Sequence, residues 1–294
     1  MLRGLYSAAS GMMANQRRSE ALTNNLANSQ SPGYKTDDAV FRSFPEYLLS
    51  AVHGTKSPIP PNAPLMGMQK HPIGKLAQGV YTQELIPNFR QGDLQETQNS
   101  FDVALVDDHL QPVEVNGTMI QPRHFLAVER NGEKSYTRNG SFTLDSLNQL
   151  VTADGHLVLD TEGNSIVLTS DQYRIDDQGY LWDENGQAYT GLRNPGQPDE
   201  EIYSVRLQVV QLDNPYDLIK TENGAFRWQG QGEPAIAEAP LVRLRQGFIE
   251  RSNVNVQQTM VELMQTSRSL ESNQRVLSAY NQTLDRLFES SRLT

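Results

Sequence analysis

Apolar and small residues near the start of the chain recur three and four apart: Leu2, Leu5, Ala9, Met12, Ser19 and Leu26. That spacing marks one stripe of a helix. Residues 1–31 hold no proline and only two glycines, Gly4 and Gly11, and Pro32-Gly33 ends the pattern as a helix stop does. The other end is more regular. From Phe248 to Thr294 there is neither glycine nor proline, and Leu263, Leu270, Leu277 and Leu284 fall seven apart. Met260, Met264, Tyr280, Leu287 and Phe288 widen that seam. The pattern predicts a helix over Val254–Glu289, roughly 50 Å long, with Ser252 or Asn253 as its cap. Ser267, Gln274 and Asn281 take the alternate column of the heptad. Polar groups there weaken a coiled coil while fixing its register. The competing reading is one amphipathic helix lying on a globular core.

The middle of the chain follows another rule. Residues 57–92 mix Pro58, Pro60, Pro61, Pro64, Pro72 and Pro87 with Gly67, Gly74, Gly79 and Gly92. This predicts an extended, poorly helical connector over 36–92. From Phe101 to about Trp228 short alternating runs predict strands at Phe125–Glu129, Ser141–Leu144, Leu157–Asp160, Ile166–Leu168, Tyr180–Trp182 and Val205–Leu212. Turn signals separate them: Asn131-Gly132, Asn139-Gly140, Asp154-Gly155, Glu162-Gly163-Asn164 and Asn185-Gly186. No βαβ alternation occurs, which argues against a doubly wound nucleotide fold. The predicted class is α+β and multidomain. The ends, 1–35 and 246–294, are helical, and 93–245 form a central all-β domain.

Charge separates the same regions. The 294 residues carry a net charge of −10. Residues 1–36 hold four cations against Glu20, and 241–294 hold seven arginines against five acids, so the stretch between carries the balance of −15. That argues against a nucleic-acid binder. With no cysteine, disulfides and thiol chemistry are out. No apolar run reaches the length of a membrane span, and Met1–Met13 lacks the apolar core and cleavage site of a secretory signal.

Catalytic signatures are missing. There is no nucleophile elbow, zincin helix, Walker loop or dinucleotide fingerprint. His53, His71, His109, His124 and His156 share no ligand-like spacing. The acidic turns Asp160–Asn164 and Asp183–Gly186 suggest calcium, but they depart from the EF-hand spacing, and tight turns need Asp and Asn before Gly in any case. Asp107-Asp108 and Asp176-Asp177 are carboxylate pairs, yet neighbours on a strand point to opposite faces. The reading has no catalytic residue, no cofactor and no metal.

One stretch is more specific. Asn24-Asn25-Leu26-Ala27-Asn28 followed by Ser31-Pro32-Gly33-Tyr34-Lys35 resembles the N-terminal signature of the flagellar rod and hook protein family, with Ser31 in place of the usual threonine. Three further blocks resemble that family in order. They are Gln91-Gly92-Asp93-Leu94 with Thr97 and Phe101–Leu105; Tyr136–Phe142 with Leu150-Val151-Thr152 and Asp154-Gly155; and Gln246-Gly247 with Glu250–Asn255 and Glu271-Ser272-Asn273. Val106–Arg123 departs from the family pattern and reads as an insertion. Only Phe125 matches the aromatic run that usually follows.

The resemblance implies a structural subunit of the basal-body rod, whose terminal helices, 1–35 with 246–294, pair into a coiled coil. Such a subunit polymerises through its terminal helices with other flagellar rod and hook subunits, and the flagellar export apparatus carries it to the basal body without a cleaved signal. The assembly residues it points to are Leu5, Met12, Asn24, Asn25, Leu26, Asn28, Gly33, Tyr34, Asn253, Leu263, Leu270, Leu277, Leu284 and Phe288. A hook or hook-junction subunit is the near alternative. A secreted β-domain enzyme with oligomerising helical ends and a cytoplasmic coiled-coil adaptor are the distant ones.

Overall fold

Both ends fold as helices, and the region between them is mostly β. The computed structural model describes residues 2–45, 47–52, 70–76, 79–107, 109–115, 117–168, 173–193, 201–221, 224–230 and 232–292. Helix α1 spans Leu2–Ala27 and α2 spans Val256–Arg292. Among the described residues, no helix is long and apolar enough to cross a membrane. The chain divides into two compact units. A helical unit comprises Met1–Thr23, Asp38–Leu85 and Met260–Thr294, and a β unit comprises Asn24–Asp37 and Ile86–Thr259.

In the helical unit the two helices meet in antiparallel order. Asn15 Nδ2 donates to Ser269 Oγ at 2.9 Å, and Arg18 pairs with Glu262 at 3.2 Å. A Cβ on Gly4 would overlap the Tyr280 ring, and one on Gly11 would press on the Asn273 amide. These contacts run 4 to 280, 11 to 273, 15 to 269 and 18 to 262. The α2 residues in contact with α1 are therefore Glu262, Ser269, Asn273 and Tyr280, the last two lying three beyond Leu270 and Leu277. This corrects the expected column. Ser267 is half-buried, and Gln274 and Asn281 are exposed. The two columns lie one residue apart, three against four beyond each leucine, and both satisfy a heptad. Small residues on α1 decide between them, because only Gly4 and Gly11 leave room for Tyr280 and Asn273.

Four strands complete the helical unit's part of the chain: β1 Asp37–Ser43, β2 Tyr47–Val52, β3 Lys70–Leu76 and β4 Val80–Pro87. β1 pairs with β4 and β2 with β3, so most of the described part of the expected connector is paired strand. Val80 N donates to Ser10 Oγ and Thr82 Oγ1 to the Ala14 carbonyl. Most of the proline run, 53–69, lies outside the described residues.

In the β unit the first strands are β5 Leu94–Glu96, β6 Val103–Leu105, β7 Val113–Val115 and β8 Thr118–Ile120. β9 Arg123–Arg130, β10 Glu133–Thr137, β11 Phe142–Leu144, β12 Leu150–Thr152 and β13 Leu157–Val158 follow. Next come β14 Tyr173–Ile175, β15 Leu181–Asp183, β16 Thr190–Arg193, β17 Glu201–Ser204 and β18 Val209–Leu212. β19 Leu218–Lys220, β20 Phe226–Trp228, β21 Ala235–Ile236, β22 Leu244–Gln246 and β23 Phe248–Glu250 end the series. Nine form one sheet in the order β11-β12-β13-β9-β10-β20-β19, with β18 joining β9 to β21. β9 is its spine, buried from His124 to Val128. Asn131 and Gly132, at φ 55° and 83°, make the two-residue turn into β10. The stretch Val205–Leu212 is a ladder strand only from Val209, and Ile166–Leu168 makes one isolated bridge, at Val167. The insertion 106–123 contains the β7–β8 hairpin.

The acidic turns share one geometry. Asp145, Asp160, Asp176 and Asp183 each accept from the backbone N–H two and four residues on. The third residue on has a positive φ in each case: Asn148, Gly163, Gly179 and Gly186. In every one of these turns a carboxylate oxygen is occupied by amides.

Candidate functional site

The family-like blocks meet inside the β unit, where their charged residues form one buried network. Lys35 Nζ lies 2.5 Å from Glu250 Oε1 and donates to the Arg90 carbonyl at 2.8 Å. Gly92 N donates to the same Glu250 oxygen at 2.9 Å, while Glu250 Oε2 accepts from Arg138 Nε at 2.9 Å. Arg138 continues to Asp107 Oδ2 at 2.8 Å and to the His124 carbonyl at 2.6 Å. Asp107 Oδ1 lies 3.1 Å from His124 Nδ1, and Arg123 stands 3.6 Å from Oδ2. The side chains of Lys35, Glu250, Arg138, Asp107 and His124 are at most 1% exposed.

Two cations against two carboxylates make the core of this network balanced. Burial alone would raise both acids. The Arg138 guanidinium overcomes it and holds Asp107 well below the usual carboxylate range, and Arg138 with Lys35 does the same for Glu250. Burial, then the neighbouring Arg138, pulls the Lys35 ammonium down to about 8 against the opposing pull of Glu250. Removing one member would leave its partner charged, buried and uncompensated.

Backbone detail explains the uncharged letters of the signature. Gly33 has φ 68° and donates its N–H to the Glu250 carbonyl at 2.7 Å. A Cβ there would sit 2.4–2.5 Å from the Arg138 carbonyl group and Asn139 N. Asn25, 3% exposed, pairs through its side-chain amide with both the N–H and the carbonyl of Asp37, each at 3.0 Å. The Tyr34 hydroxyl donates to Asn25 Oδ1 at 3.1 Å, and Lys220 Nζ lies 3.7 Å above the Tyr34 ring while pairing with Asp37 at 2.8 Å. Asn28 folds back onto the carbonyl of exposed Asn24 at 2.9 Å and ends α1.

Asn253 is a tie between segments. It accepts from Thr36 N and donates to the carbonyls of Asn88 and Arg90. The cap of α2 is Asn255, whose side chain accepts from Gln258 N at 3.1 Å. Neither Ser252 nor Asn253 plays that part, because the backbone through 250–255 is drawn into the β unit before the helix begins. Leu5, Met12, Leu26, Leu263, Leu270, Leu277 and Leu284 are half-buried, and Phe288 is 67% exposed. The structure thus gathers Asn25, Gly33, Tyr34 and Asn253 at one junction of segments inside the β unit, and leaves Leu5, Met12, the leucine column and Phe288 along the helices.

The pattern reading missed the network itself. Lys35, Arg138 and Glu250 were visible only as letters inside motifs. Asp107 stood out as half of an acid pair, whose second member, Asp108, lies outside the described residues. Among the described residues no group of three or more His, Asp or Glu is placed to hold a metal ion.

Three family profiles match the chain. They are "Flagella basal body rod protein" over residues 5–35, "Flagellar hook protein FlgE/F/G D1 domain" over 119–182, and "Flagellar basal body rod FlgEFG protein C-terminal" over 245–289. Each matched stretch contributes a charged member of the network: Lys35, Arg138 and Glu250. The chain is 35% identical over 286 residues to the flagellar hook-basal body complex protein FlhO of Bacillus subtilis (strain 168), covering 97% of both chains. It is 27% identical over 297 residues to that organism's flagellar hook-basal body complex protein FlhP, again covering 97% of both. To the flagellar basal-body rod protein FlgG of Buchnera aphidicola subsp. Schizaphis graminum (strain Sg) it is 29% identical over 301 residues, covering 98% of this chain and 99% of the relative.

Proposed function

The chain belongs to the flagellar basal-body rod and hook protein family, and we propose that it is a rod subunit that polymerises through its terminal helices into part of the axial drive shaft. The observation that carries this reading is the division of labour on α2. Glu262, Ser269, Asn273 and Tyr280 address α1, while Met260, Val261 and Met264 on other faces are 48–53% exposed. Tyr6 and Met13 on α1 are 68% and 67% exposed. Apolar residues repeated along two long helices suit burial against further subunits, and the paired helices become a coiled coil in that setting.

In this scheme residues 1–35 and 246–294 are the assembling domain, 36–92 the connection, and 93–245 the β domain carried with it. Leu5, Met12, Leu26, the Leu263–Leu284 column and Phe288 contact neighbouring rod and hook subunits. Asn24, Asn25, Asn28, Gly33, Tyr34 and Asn253 set where the helices leave the β domain. The protein works as a building block without catalysis, and it reaches the basal body through the flagellar export apparatus without a cleaved signal.

Deletion of the gene followed by motility assay and electron microscopy of basal bodies tests the reading. Loss of motility with truncated rods is expected. A motile strain with complete rods and hooks overturns it, and complete rods lacking hooks would move the subunit to the hook side.

A further inference from the structure

The chain holds five Asn-Gly pairs, with asparagine at 116, 131, 139, 185 and 223. In such a pair the backbone nitrogen of the glycine can attack the side-chain amide of the asparagine, because glycine has no side chain to hinder the approach. By sequence the five are alike. Asn116 and Asn223 lie outside the described residues, and the fold treats the other three differently. At Asn185 the attacking group is engaged: Gly186 N donates to the Asp183 carbonyl at 3.1 Å, and Asn185 N donates to Asp183 Oδ1 at 3.0 Å. At Asn139 the side chain is engaged, since Oδ1 accepts from Ser141 N at 3.0 Å. Buried Gly140 is pinned as well. Its carbonyl accepts from Val103 N at 2.9 Å, and a Cβ on it would overlap the Val103 carbonyl oxygen. Asn131 is tied by neither device. It is exposed at the tip of the β9–β10 hairpin, and neither its side-chain amide nor Gly132 N makes a hydrogen bond. Nothing stands within 4 Å of a Cβ placed on Gly132.

We propose that Asn131 is a self-modification site at which the folded chain deamidates selectively. The Gly132 nitrogen gives its proton to solvent base and bonds to Asn131 Cγ. The Cγ–Nδ2 bond breaks, and the amide nitrogen leaves as ammonia with a proton taken from water. The product is a five-membered succinimide. Water then adds to one of the two ring carbonyls: opening at the side-chain carbonyl gives aspartate, and opening at the main-chain carbonyl gives isoaspartate. No oxidant or cofactor takes part. Aspartate is tolerated in the left-handed region. Isoaspartate adds a methylene to the main chain of a two-residue turn, so the Arg130–Glu133 pair that closes the turn no longer fits. The modification therefore loosens the hairpin of β9, the buried spine of the sheet, from its tip. Asn139 and Asn185 react only when their turns open, and their rates fall by the fraction of time spent open. The inference does not depend on the rod reading.

Incubation of the purified full chain in mildly alkaline buffer, with each Asn-Gly peptide followed by mass spectrometry, tests it. Conversion at Asn131 is expected to run at least about tenfold faster than at Asn139 and Asn185. Isoaspartate at 131 is read by enzymatic methylation of its carboxylate. In the urea-unfolded chain the three rates should converge. Asn131→Gly suits the turn and cannot cyclise, so its thermal midpoint should hold during incubation while that of the wild type falls. Asn131→Asp, which has no ammonia to lose and cyclises more slowly, serves should the glycine variant fail to fold. Equal rates at the three sites in the folded chain, faster conversion at Asn139 or Asn185, or an Asn131 that reacts only once unfolded would each overturn the proposal. A wild-type midpoint that falls in step with that of the variant overturns the effect on the hairpin.

Discussion

The helical unit and the junction inside the β unit both rest on polar residues, and they use them in opposite ways. At the junction, Lys35, Glu250, Arg138 and Asp107 are buried, balanced in charge and held by several partners each. Along the helices, Asn273 and Tyr280 meet glycines, Ser269 meets Asn15 and Glu262 pairs with Arg18, while methionines and valines are left outside. A buried ion network is complete within one chain, and any change to it is felt as stability. A helix pair with small residues inside and apolar residues outside is incomplete until something covers it. Under the proposed function, the contrast separates residues that make the subunit from residues that would make the polymer.

The sharpest way to break that contrast is Arg138→Met. It removes the guanidinium that Asp107 and Glu250 share, leaving them buried with only Arg123 and Lys35 as counter-charges, and should cost about 3–5 kcal/mol in urea unfolding. In a cycle with Glu250→Gln and Lys35→Met, the combined losses should fall short of the sum of the single ones, as expected for one network. Additive losses would mean that the charges act independently. Gly33→Ala comes next. Its positive φ alone costs about 1–2 kcal/mol, and the overlap with the Arg138–Asn139 peptide adds to it, so a thermal midpoint unchanged from wild type would refute the close approach.

Acid should act on the same side of the comparison. Asp107 and Glu250 have folded values below their ordinary 3.8 and 4.5. The unfolded chain therefore binds more protons there, and their contribution is full above those values and lost as pH falls through the folded ones. Lys35, drawn down to about 8 from 10.5, works in another window. Between those values the unfolded chain again binds the extra proton, so this group favours folding as pH rises. Thermal midpoints of the wild type should drop on acidification below about pH 4, and the Arg138→Met variant should show a shallower drop.

The smaller effects belong to the helices. Asn255→Ala removes the α2 cap and should cost about 1 kcal/mol, read as lost protection of the first-turn amides in hydrogen exchange. Met264→Ser should change the stability of the free subunit by less than about 0.5 kcal/mol yet lower its incorporation into basal bodies. Equal incorporation would move the outer face of α2 into the same class as ordinary surface.

Much of this was readable along the chain. Two terminal helices, turn-punctuated strands and the tight turn at Asn131-Gly132 follow from period, proline and glycine placement. Some boundaries and faces were not. The α2 cap fell on Asn255 because Asn253 was already committed to Thr36, Asn88 and Arg90. The heptad admitted two alternate columns one residue apart. Glycines on a second helix, some 270 residues away in sequence, selected one of them.

By itself the sequence determined the elements, the charge contrast between ends and middle, and the kinship carried by the Asn24–Lys35 signature. These depend on neighbours within a turn or two, which local spacing records. Only the tertiary structure decided that Lys35, Asp107, Arg138 and Glu250 are one network, that Gly33 is there to let the Arg138–Asn139 peptide after β10 pass close, and which face of α2 stays outside. Those facts depend on which distant segments come within a few ångströms. No periodicity encodes that, because a buried ion pair leaves no pattern in either of the two stretches that make it.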